Sequence, residues 1–146
     1  MTQVASQLSL ENRTIDARGP RFSALVTTVL LLITLATHSV WVLAFQGAVF
    51  AIGAFRGPQF TPYALIFKKL VRPRLKGEVP TEDIRPPQFA QRVGLLFALI
   101  GIAGSVSGLP LLFTLATGAA LAAAFLNAAF NFCLGCEIYL LLLRLR

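Results

Sequence analysis

Two long uncharged blocks constrain the fold of this chain more than any other feature. Residues 22–55 are 34 consecutive residues without a formal charge, and residues 93–132 are another 40. A transmembrane helix needs about 20 mainly apolar residues, with a lower limit near 17. Each block is therefore too long for one span and just long enough for two. The pattern predicts an all-α integral membrane protein, because only 13% of the residues are charged, about half the share in soluble domains.

Polar and flexible residues divide each block near its middle. The first block is interrupted at Thr37, His38 and Ser39, and the second between Ser105 and Pro110. Such residues mark turns, so His38 is predicted to be a solvated loop histidine. We predict a four-helix transmembrane bundle whose spans cover residues 22–36, 40–55, 89–106 and 110–132.

The positive charges are confined to one side of the predicted spans. All 13 Lys and Arg residues lie in residues 13–21, 56–92 and 144–146, whereas the two turns on the opposite side carry no charged residue. Loops rich in Lys and Arg stay in the cytoplasm. The sequence therefore predicts a multi-pass protein of the inner membrane with both termini and the middle segment cytoplasmic. The net charge of +7 indicates this orientation and attraction to anionic lipid headgroups, and not nucleic-acid binding.

A repeated heptapeptide pattern indicates an internal duplication. Residues 16–22 and 83–89 both read D-x-R-x-P-x-F, and each copy directly precedes a predicted helical hairpin. Asp followed by Pro is typical of a helix start. We predict one membrane domain formed by two parallel two-span repeats, with a pseudo-twofold axis along the membrane normal. Its parts are a cytoplasmic tail at residues 1–21, a first repeat at 22–75, a polar linker at 76–88 and a second repeat at 89–146.

An amphipathic segment follows each predicted hairpin. The first, at residues 63–75, has the sequence YALIFKKLVRPRL, and the second is the tail at residues 137–146. Both are predicted to be helices that lie on the inner membrane surface, with an ordinary basic loop as the alternative for the first. Its basic residues could dock an acidic partner, because charge complementarity speeds encounter. These residues are Lys68, Lys69, Arg72 and Arg74.

The two cysteines, Cys133 and Cys136, lie three residues apart in the stretch FNFCLGC at the end of the second block. Their spacing allows a disulfide, but a pair that faces the reducing cytoplasm is not expected to form a permanent structural one. We predict a dithiol for redox chemistry or sulfur transfer. Structural thiols and a metal site are the alternatives, although two thiolates do not complete a tetrahedral metal site.

A reactive thiol needs a lowered pKa, which a helix N-terminus can provide. The alignment of the two repeats predicts a helix break near Gly135, which would place only Cys136 at a helix N-terminus. We therefore predict Cys136 as the nucleophile, Cys133 as the resolving thiol and Glu137 as a proton acceptor, although the charge of Glu137 opposes thiolate formation. No cofactor and no metal ion is predicted.

Polar and small residues inside the predicted spans have to pack between helices. Gln46, Asn127 and Asn131 are predicted to face the bundle interior, where they form interhelical hydrogen bonds or line a polar path. Small residues recur on the third and fourth spans and permit close helix packing, with an oligomer contact as the alternative. They are Gly94, Gly101 and Gly108, and Ala116, Ala120, Ala124 and Ala128.

Several segments resemble one known family: IDARGPRF, LVRPRL, RPPQFAQ, FLNAAF and FCLGCEIY. Together they are similar, from Ile15 onward, to the bacterial and especially actinobacterial membrane proteins called domain of unknown function forty-three ninety-five. The most specific segment, FCLGCE, carries over to Cys133, Cys136 and Glu137. The resemblance implies a small multi-span inner-membrane protein in thiol or sulfur metabolism, with a thioredoxin-like or sulfurtransferase partner. A small transporter or an oligomeric scaffold with structural cysteines is the alternative.

Overall fold

Long uncharged segments fold as helices in a membrane because each backbone N–H and C=O group must find its partner within the segment. The computed structural model describes residues 14–16, 18–74, 81–130 and 132–145, and nearly all of them are helical. The elements in chain order are strand β1 (Thr14–Asp16), helices α1 (Arg18–Thr37) and α2 (Val40–Phe55), a 3-10 turn (Pro58–Phe60), helix α3 (Pro62–Ile66), strand β2 (Thr81–Asp83), and helices α4 (Arg85–Val106), α5 (Pro110–Phe130) and α6 (Leu134–Leu145). Helix α3 continues as a π-helical segment, Phe67–Val71, and a 3-10 turn, Arg72–Arg74. The predicted all-α class is confirmed, and the structure adds one short pair of strands.

Three helices are long and apolar enough to cross a membrane. They are α1, α4 and α5, with 20, 22 and 21 residues, and they mark the chain as a membrane protein. Helix α2 is also apolar and has its predicted bounds, but it is 16 residues long, just below the lower limit for a span. All four predicted helices therefore form, while only three reach spanning length within the described residues.

Tight turns join the two helices of each hairpin. Between α1 and α2, His38 is exposed and has a φ of 54°, and the Oγ of Ser39 accepts a hydrogen bond from the N–H of Val42 (3.4 Å). Between α4 and α5, Gly108 has a φ of 75°, a conformation that glycine adopts without strain. Both turns lie where the polar breaks predicted them.

The first helix of each hairpin packs against the second helix of the other. Helix α1 contacts α5, α2 contacts α4, and α4 also contacts α5. Small residues permit this approach, since a Cβ on Gly94 would lie 2.6 Å from the ring of Phe50 and one on Gly101 would lie 2.9 Å from Leu43. The buried core between the helices consists of Leu31, Leu43, Phe50, Ala98, Phe113 and Ala120.

Side chains near the start of one hairpin bind the end of the other. The Nε of Arg21 on α1 donates to the carbonyl oxygen of Ala128 near the end of α5 (3.1 Å). On α4, the Nε2 of Gln88 and the Nε of Arg92 donate to the carbonyl oxygen of Ala54 near the end of α2 (3.0 and 3.3 Å). In a continuous α-helix the carbonyl of Ala54 would accept the N–H of the residue four positions later. That residue is Pro58, which has no N–H, so the two side chains provide the donors instead.

Strands β1 and β2 pair in the antiparallel direction just before the two hairpins. Thr14 lies opposite Asp83, Ile15 opposite Glu82, and Asp16 opposite Thr81. Each strand ends at the aspartate that begins one of the two D-x-R-x-P-x-F copies. The sequence did not predict this pairing.

The break before α6 lies earlier than predicted. Helix α5 ends at Phe130 and α6 begins at Leu134, so the prediction of a break near Gly135 is wrong by several residues. Gly135 lies within the first turn of α6, where a Cβ would come within 2.7 Å of Ala90 on α4. This glycine therefore permits close packing instead of forming a turn. Asn131 lies outside the described residues, as do residues 1–13 of the predicted tail and 75–80 of the linker region.

Candidate functional site

The candidate site is a disulfide between Cys133 and Cys136 at the N-terminus of α6. The two Cα atoms are 5.1 Å apart, and both residues are half-buried. The bond confirms that the three-residue spacing allows a disulfide. Neither cysteine of the chain is free in this structure.

Cys133 caps helix α6. Its Sγ accepts a hydrogen bond from the backbone N–H of Cys136 (3.1 Å), and its carbonyl oxygen accepts one from the N–H of Glu137 (3.0 Å). Cys133 thus occupies the N-cap position, where a side-chain acceptor satisfies an N–H group of the first turn. The premise that only Cys136 can lie at a helix N-terminus is wrong, because the helix begins before Gly135. The roles of the two thiols remain a prediction.

The helix N-terminus and Glu137 have opposite electrostatic effects on a thiolate in this place. Free N–H groups of the first turn carry partial positive charge, and cysteine thiols at such positions have a lowered pKa. Glu137 is exposed in the same turn, and its carboxylate places a negative charge close to the sulfur atoms. The sulfur of Cys133 accepts a first-turn N–H directly, so it has the more favourable position.

Helix α6 holds the disulfide against α4. Gly135 contacts the backbone of Ala90 so closely that no side chain fits between them. One turn further along, the ring of Tyr139 packs on the ring of Phe89, with centroids 5.6 Å apart. These two contacts fix the direction of α6 and therefore the position of both cysteines.

A cavity of about 500 Å³ lies beside the disulfide, and both cysteines form part of its wall. Helices α1, α4 and α5, other residues of α6 and Phe50 of α2 provide the rest of the wall, which consists mainly of alanine, glycine, proline and two phenylalanine rings. Its polar side chains are Ser23, Thr27, Gln91, Asn127 and Glu137. The sequence did not predict this cavity, because its walls come from five helices whose packing is set by tertiary contacts.

Gln46 is fully buried in the bundle, and both ends of its amide have partners. The Nε2 atom donates to the Oγ1 of Thr27 (3.4 Å), and the Oε1 atom accepts from the hydroxyl of Tyr63 (2.7 Å). Burial raises the pKa of Tyr63 to about 12, so its hydroxyl stays a donor at neutral pH. Sequence reasoning found Gln46 but missed Tyr63, which comes from the segment after α2.

The other predicted site residues fall into two groups. Asn127 is half-buried and lines the same cavity as the two cysteines and Glu137. The basic residues belong to a different element, the helical segment after α3. There Lys68, Lys69 and Arg74 are exposed, and the backbone of Arg72 lies in the same segment.

Among residues 14–16, 18–74, 81–130 and 132–145, no group of three or more His, Cys, Asp or Glu side chains could hold a metal ion. Comparisons with curated proteins and with solved structures found no match to this chain. A family model described as Domain of unknown function (DUF4395) matches residues 15–144. The match covers most of the chain, as the resemblance of its IDARGPRF and FCLGCE segments led us to expect, and the protein therefore belongs to this family.

Proposed function

We propose that Cys133 and Cys136 form a redox-active dithiol at the cytoplasmic face of the inner membrane. Its partner would be a soluble thioredoxin-like protein or a sulfurtransferase, and it would exchange electrons or sulfane sulfur with that partner. The observation that carries this proposal is the cap, in which the Sγ of Cys133 accepts the N–H of Cys136 at the start of α6. A sulfur atom that accepts a first-turn N–H is in a position that stabilises a thiolate.

Exchange of electrons requires two displacements at sulfur. The Cys133 thiolate attacks a partner disulfide and forms a mixed disulfide, and the partner's other sulfur leaves as a thiolate that takes up a proton. The Cys136 thiol then loses its proton and attacks the sulfur of Cys133. The partner leaves as a dithiol with two electrons and two protons, and the Cys133–Cys136 disulfide closes. The reverse sequence reduces this disulfide.

Transfer of sulfane sulfur uses the same attacking atom. The Cys133 thiolate attacks the terminal sulfur of a partner persulfide, and the partner leaves as a thiolate while a persulfide forms on Cys133. The thiol of Cys136 can then attack the inner sulfur and release hydrosulfide as the disulfide closes. We propose this order of roles, the reverse of the one predicted from the sequence, because Cys133 is the N-cap residue.

The basic segment after α3 is proposed to assist encounter with an acidic partner. Lys68, Lys69 and Arg74 are exposed there, and Arg72 contributes a fourth positive charge. In the proposed duplication this segment and α6 follow equivalent helices, so both would lie at the same face of the membrane. Complementary charge mainly raises the association rate and makes it sensitive to salt.

The thiol assignment is tested by alkylating reduced protein in native membrane vesicles across a range of pH. In the Cys136→Ser variant we expect Cys133 to titrate with a pKa at or below about 7.5, the upper end for thiols at helix N-termini. The matched Cys133→Ser variant should leave Cys136 with a higher pKa. Cys136→Ser should also trap a partner as a mixed disulfide, because the resolving thiol is missing.

Two results would change this proposal. If Cys133→Ser traps a partner and Cys136→Ser does not, Cys136 is the nucleophile and the roles are exchanged. If both thiols titrate at about 8.5 or above, the value of a free cysteine, and neither variant traps a partner, then the cysteines are structural.

The proposed architecture is a four-span bundle of two parallel repeats. Three observations support it. The first is the symmetry of the strand pairing: Thr14 lies opposite Asp83, and the equivalent Thr81 lies opposite Asp16. The second is that the equivalent residues Arg21 and Gln88 each cap the second helix of the other hairpin. The third is the equivalent ring pairs, Phe22 with Phe67 at 5.7 Å and Phe89 with Tyr139 at 5.6 Å.

The topology of this bundle can be measured with reporter fusions. Fusions after residue 80 and at the C-terminus should both report a cytoplasmic location, because all Lys and Arg residues lie on that side of the proposed spans. A fusion in the turn at Gly108 serves as the control and should report a periplasmic location. If the reporter after residue 80 is periplasmic, α2 does not span the membrane and the repeat architecture fails.

A small transporter is the second candidate, and the observation that favours it is the cavity with Asn127 in its wall. Uptake of a sulfur compound by reconstituted vesicles would support it. The oligomeric scaffold is less well supported, because Ala116 and Ala120 of the alanine ridge are buried in the chain's own core, with 5% and 7% of their surface exposed. The ridge therefore serves packing within the chain.

A further inference from the structure

Two residues that line the cavity beside the disulfide are the counterparts of a buried hydrogen-bonded pair in the first repeat. In the first repeat, the Oγ1 of Thr61 caps α3 by accepting the N–H of Ala64 (3.2 Å), as the Sγ of Cys133 caps α6 by accepting the N–H of Cys136. Tyr63 and Gly135 each lie two residues after their cap and are therefore equivalent. Tyr63 is 5% exposed and its hydroxyl donates to Gln46 inside the bundle, whereas Gly135 has no side chain and packs directly on Ala90 of α4.

The hydrogen-bond partner of that tyrosine is also replaced in the second repeat. Ala54 and Ala128 accept the equivalent donors, which aligns α2 with α5. Gln46 lies eight residues before Ala54, and Ala120 lies eight residues before Ala128. The buried pair Tyr63–Gln46 of the first repeat thus corresponds to Gly135 and Ala120, and both of these residues line the cavity.

The composition of the cavity wall defines the kind of molecule that fits. Its volume of about 500 Å³ lies in the range of small-molecule and cofactor sites, about 300–1,000 Å³. Most of the wall is apolar, and the rings of Phe50 and Phe97 offer flat surfaces on which an aromatic ring can stack. Ser23, Thr27 and Asn127 provide hydroxyl and amide groups that can donate to a carbonyl oxygen.

We infer that this cavity binds the ring of a lipid-soluble quinone, which accepts the two electrons of the Cys133–Cys136 dithiol. This inference rests on the proposed redox function and names its membrane-side electron acceptor. A quinone ring is flat and apolar with a carbonyl oxygen at each end, and it takes up two electrons and two protons, which is what a dithiol releases when it becomes a disulfide. It also dissolves in the hydrocarbon phase that surrounds α1, α4 and α5.

The electron transfer balances with the two cysteines alone. The thiolate of Cys133 adds to a ring carbon and forms a carbon–sulfur bond, which moves an electron pair onto the ring oxygens. The thiolate of Cys136 then attacks that sulfur, the carbon–sulfur bond breaks, and the disulfide forms. The ring leaves as hydroquinone, and the two protons that it takes up equal the two lost by the thiols.

The test uses the full-length protein in lipid vesicles, reduced and freed of reductant. The probe is a short-chain ubiquinone analogue with a fully substituted ring, because such a ring does not form stable adducts with free thiols. Ala120→Leu should occupy part of the cavity and slow oxidation of the dithiol by the quinone by about tenfold or more, because the larger side chain overlaps the volume that the ring needs. The matched control is Ala122→Leu, on the same helix but exposed, which should react like the parent protein.

A second reaction separates this inference from the proposed function. Oxidation of the same vesicles by a water-soluble thioredoxin disulfide should be unchanged in both variants, because it does not use the cavity. If the quinone oxidises neither the parent nor the control while thioredoxin oxidises both, the quinone site is wrong and the dithiol function stands. If neither reagent oxidises the thiols, both proposals fail.

Two further outcomes complete the test. Equal rates for the parent and Ala120→Leu would show that the quinone reacts outside the cavity, which overturns the inference. If Ala120→Leu does not fold, as judged by its elution and its melting in detergent, Ala123→Leu replaces it, because Ala123 also lines the cavity and is only half-buried.

Discussion

Gly135→Ala is expected to separate α6 from α4 and to displace the disulfide. The added Cβ would lie 2.7 Å from both the Cα and the Cβ of Ala90, and Ala90 cannot move away without a shift of the α4 backbone. Overpacking of this kind costs about 1–3 kcal/mol. Because α6 has no buried residue of its own, a loss of this size should be enough to release it from the bundle.

The measurement compares Gly135→Ala with Gly118→Ala in detergent micelles. Gly118 is also a helical glycine, but a Cβ there meets no atom within 4 Å, so its replacement should be neutral or stabilise the helix by up to about 1 kcal/mol. In Gly135→Ala we expect faster alkylation of the reduced cysteines and a lower melting temperature. Equal alkylation rates in the two variants would show that α6 does not depend on this contact.

Removal of one partner from the Gln46–Tyr63 pair should cost more than removal of both. Gln46→Leu leaves the buried Tyr63 hydroxyl without its acceptor, and Tyr63→Phe leaves the Oε1 of Gln46 without its donor. Each single change should lower the free energy of unfolding by about 1–3 kcal/mol, the cost of an unsatisfied buried polar group. The double variant should recover part of this loss, because both ends of the hydrogen bond are then apolar.

Thermal unfolding in detergent measures all three variants. Tyr139→Phe is the matched control, since Tyr139 is half-buried and packs on Phe89 through its ring, and it should change stability by less than about 0.5 kcal/mol. If the losses of the two single variants simply add in the double variant, the hydrogen bond contributes nothing specific to the bundle.

The helices were predictable because their limits depend on local properties. The Thr37–Ser39 and Ser105–Pro110 breaks predicted the turns, and α2 has the predicted bounds, Val40–Phe55. The membrane class followed from the same two uncharged blocks. These features follow from one cost, the burial of a charge or an unpaired backbone group in lipid. The local sequence is enough to show where that cost is avoided.

The cavity, the strand pairing and the start of α6 depend on residues far apart in the chain. Gly135 looked like a flexible break, but its role is set by Ala90, which lies 45 residues earlier. Cys133 caps the helix and Cys136 lies in its first turn, so both cysteines are at the helix N-terminus, whereas the sequence predicted this only for Cys136. The second predicted span, α2, formed as a helix of 16 residues, just below the length that a span needs.

The second helix of each hairpin ends with a carbonyl that accepts a side-chain donor from the other hairpin, and this arrangement has a consequence for biosynthesis. The carbonyl of Ala54 receives its donors from Gln88 and Arg92, which lie 34 and 38 residues later in the chain. At about 5–20 residues per second, a ribosome needs about 2–8 s to add them. During that interval the first hairpin is already made, while the donors for the end of α2 do not yet exist. Lipid headgroups, water or the insertion machinery have to satisfy that carbonyl until α4 arrives, and a first hairpin synthesised alone keeps an open end that only the second can close.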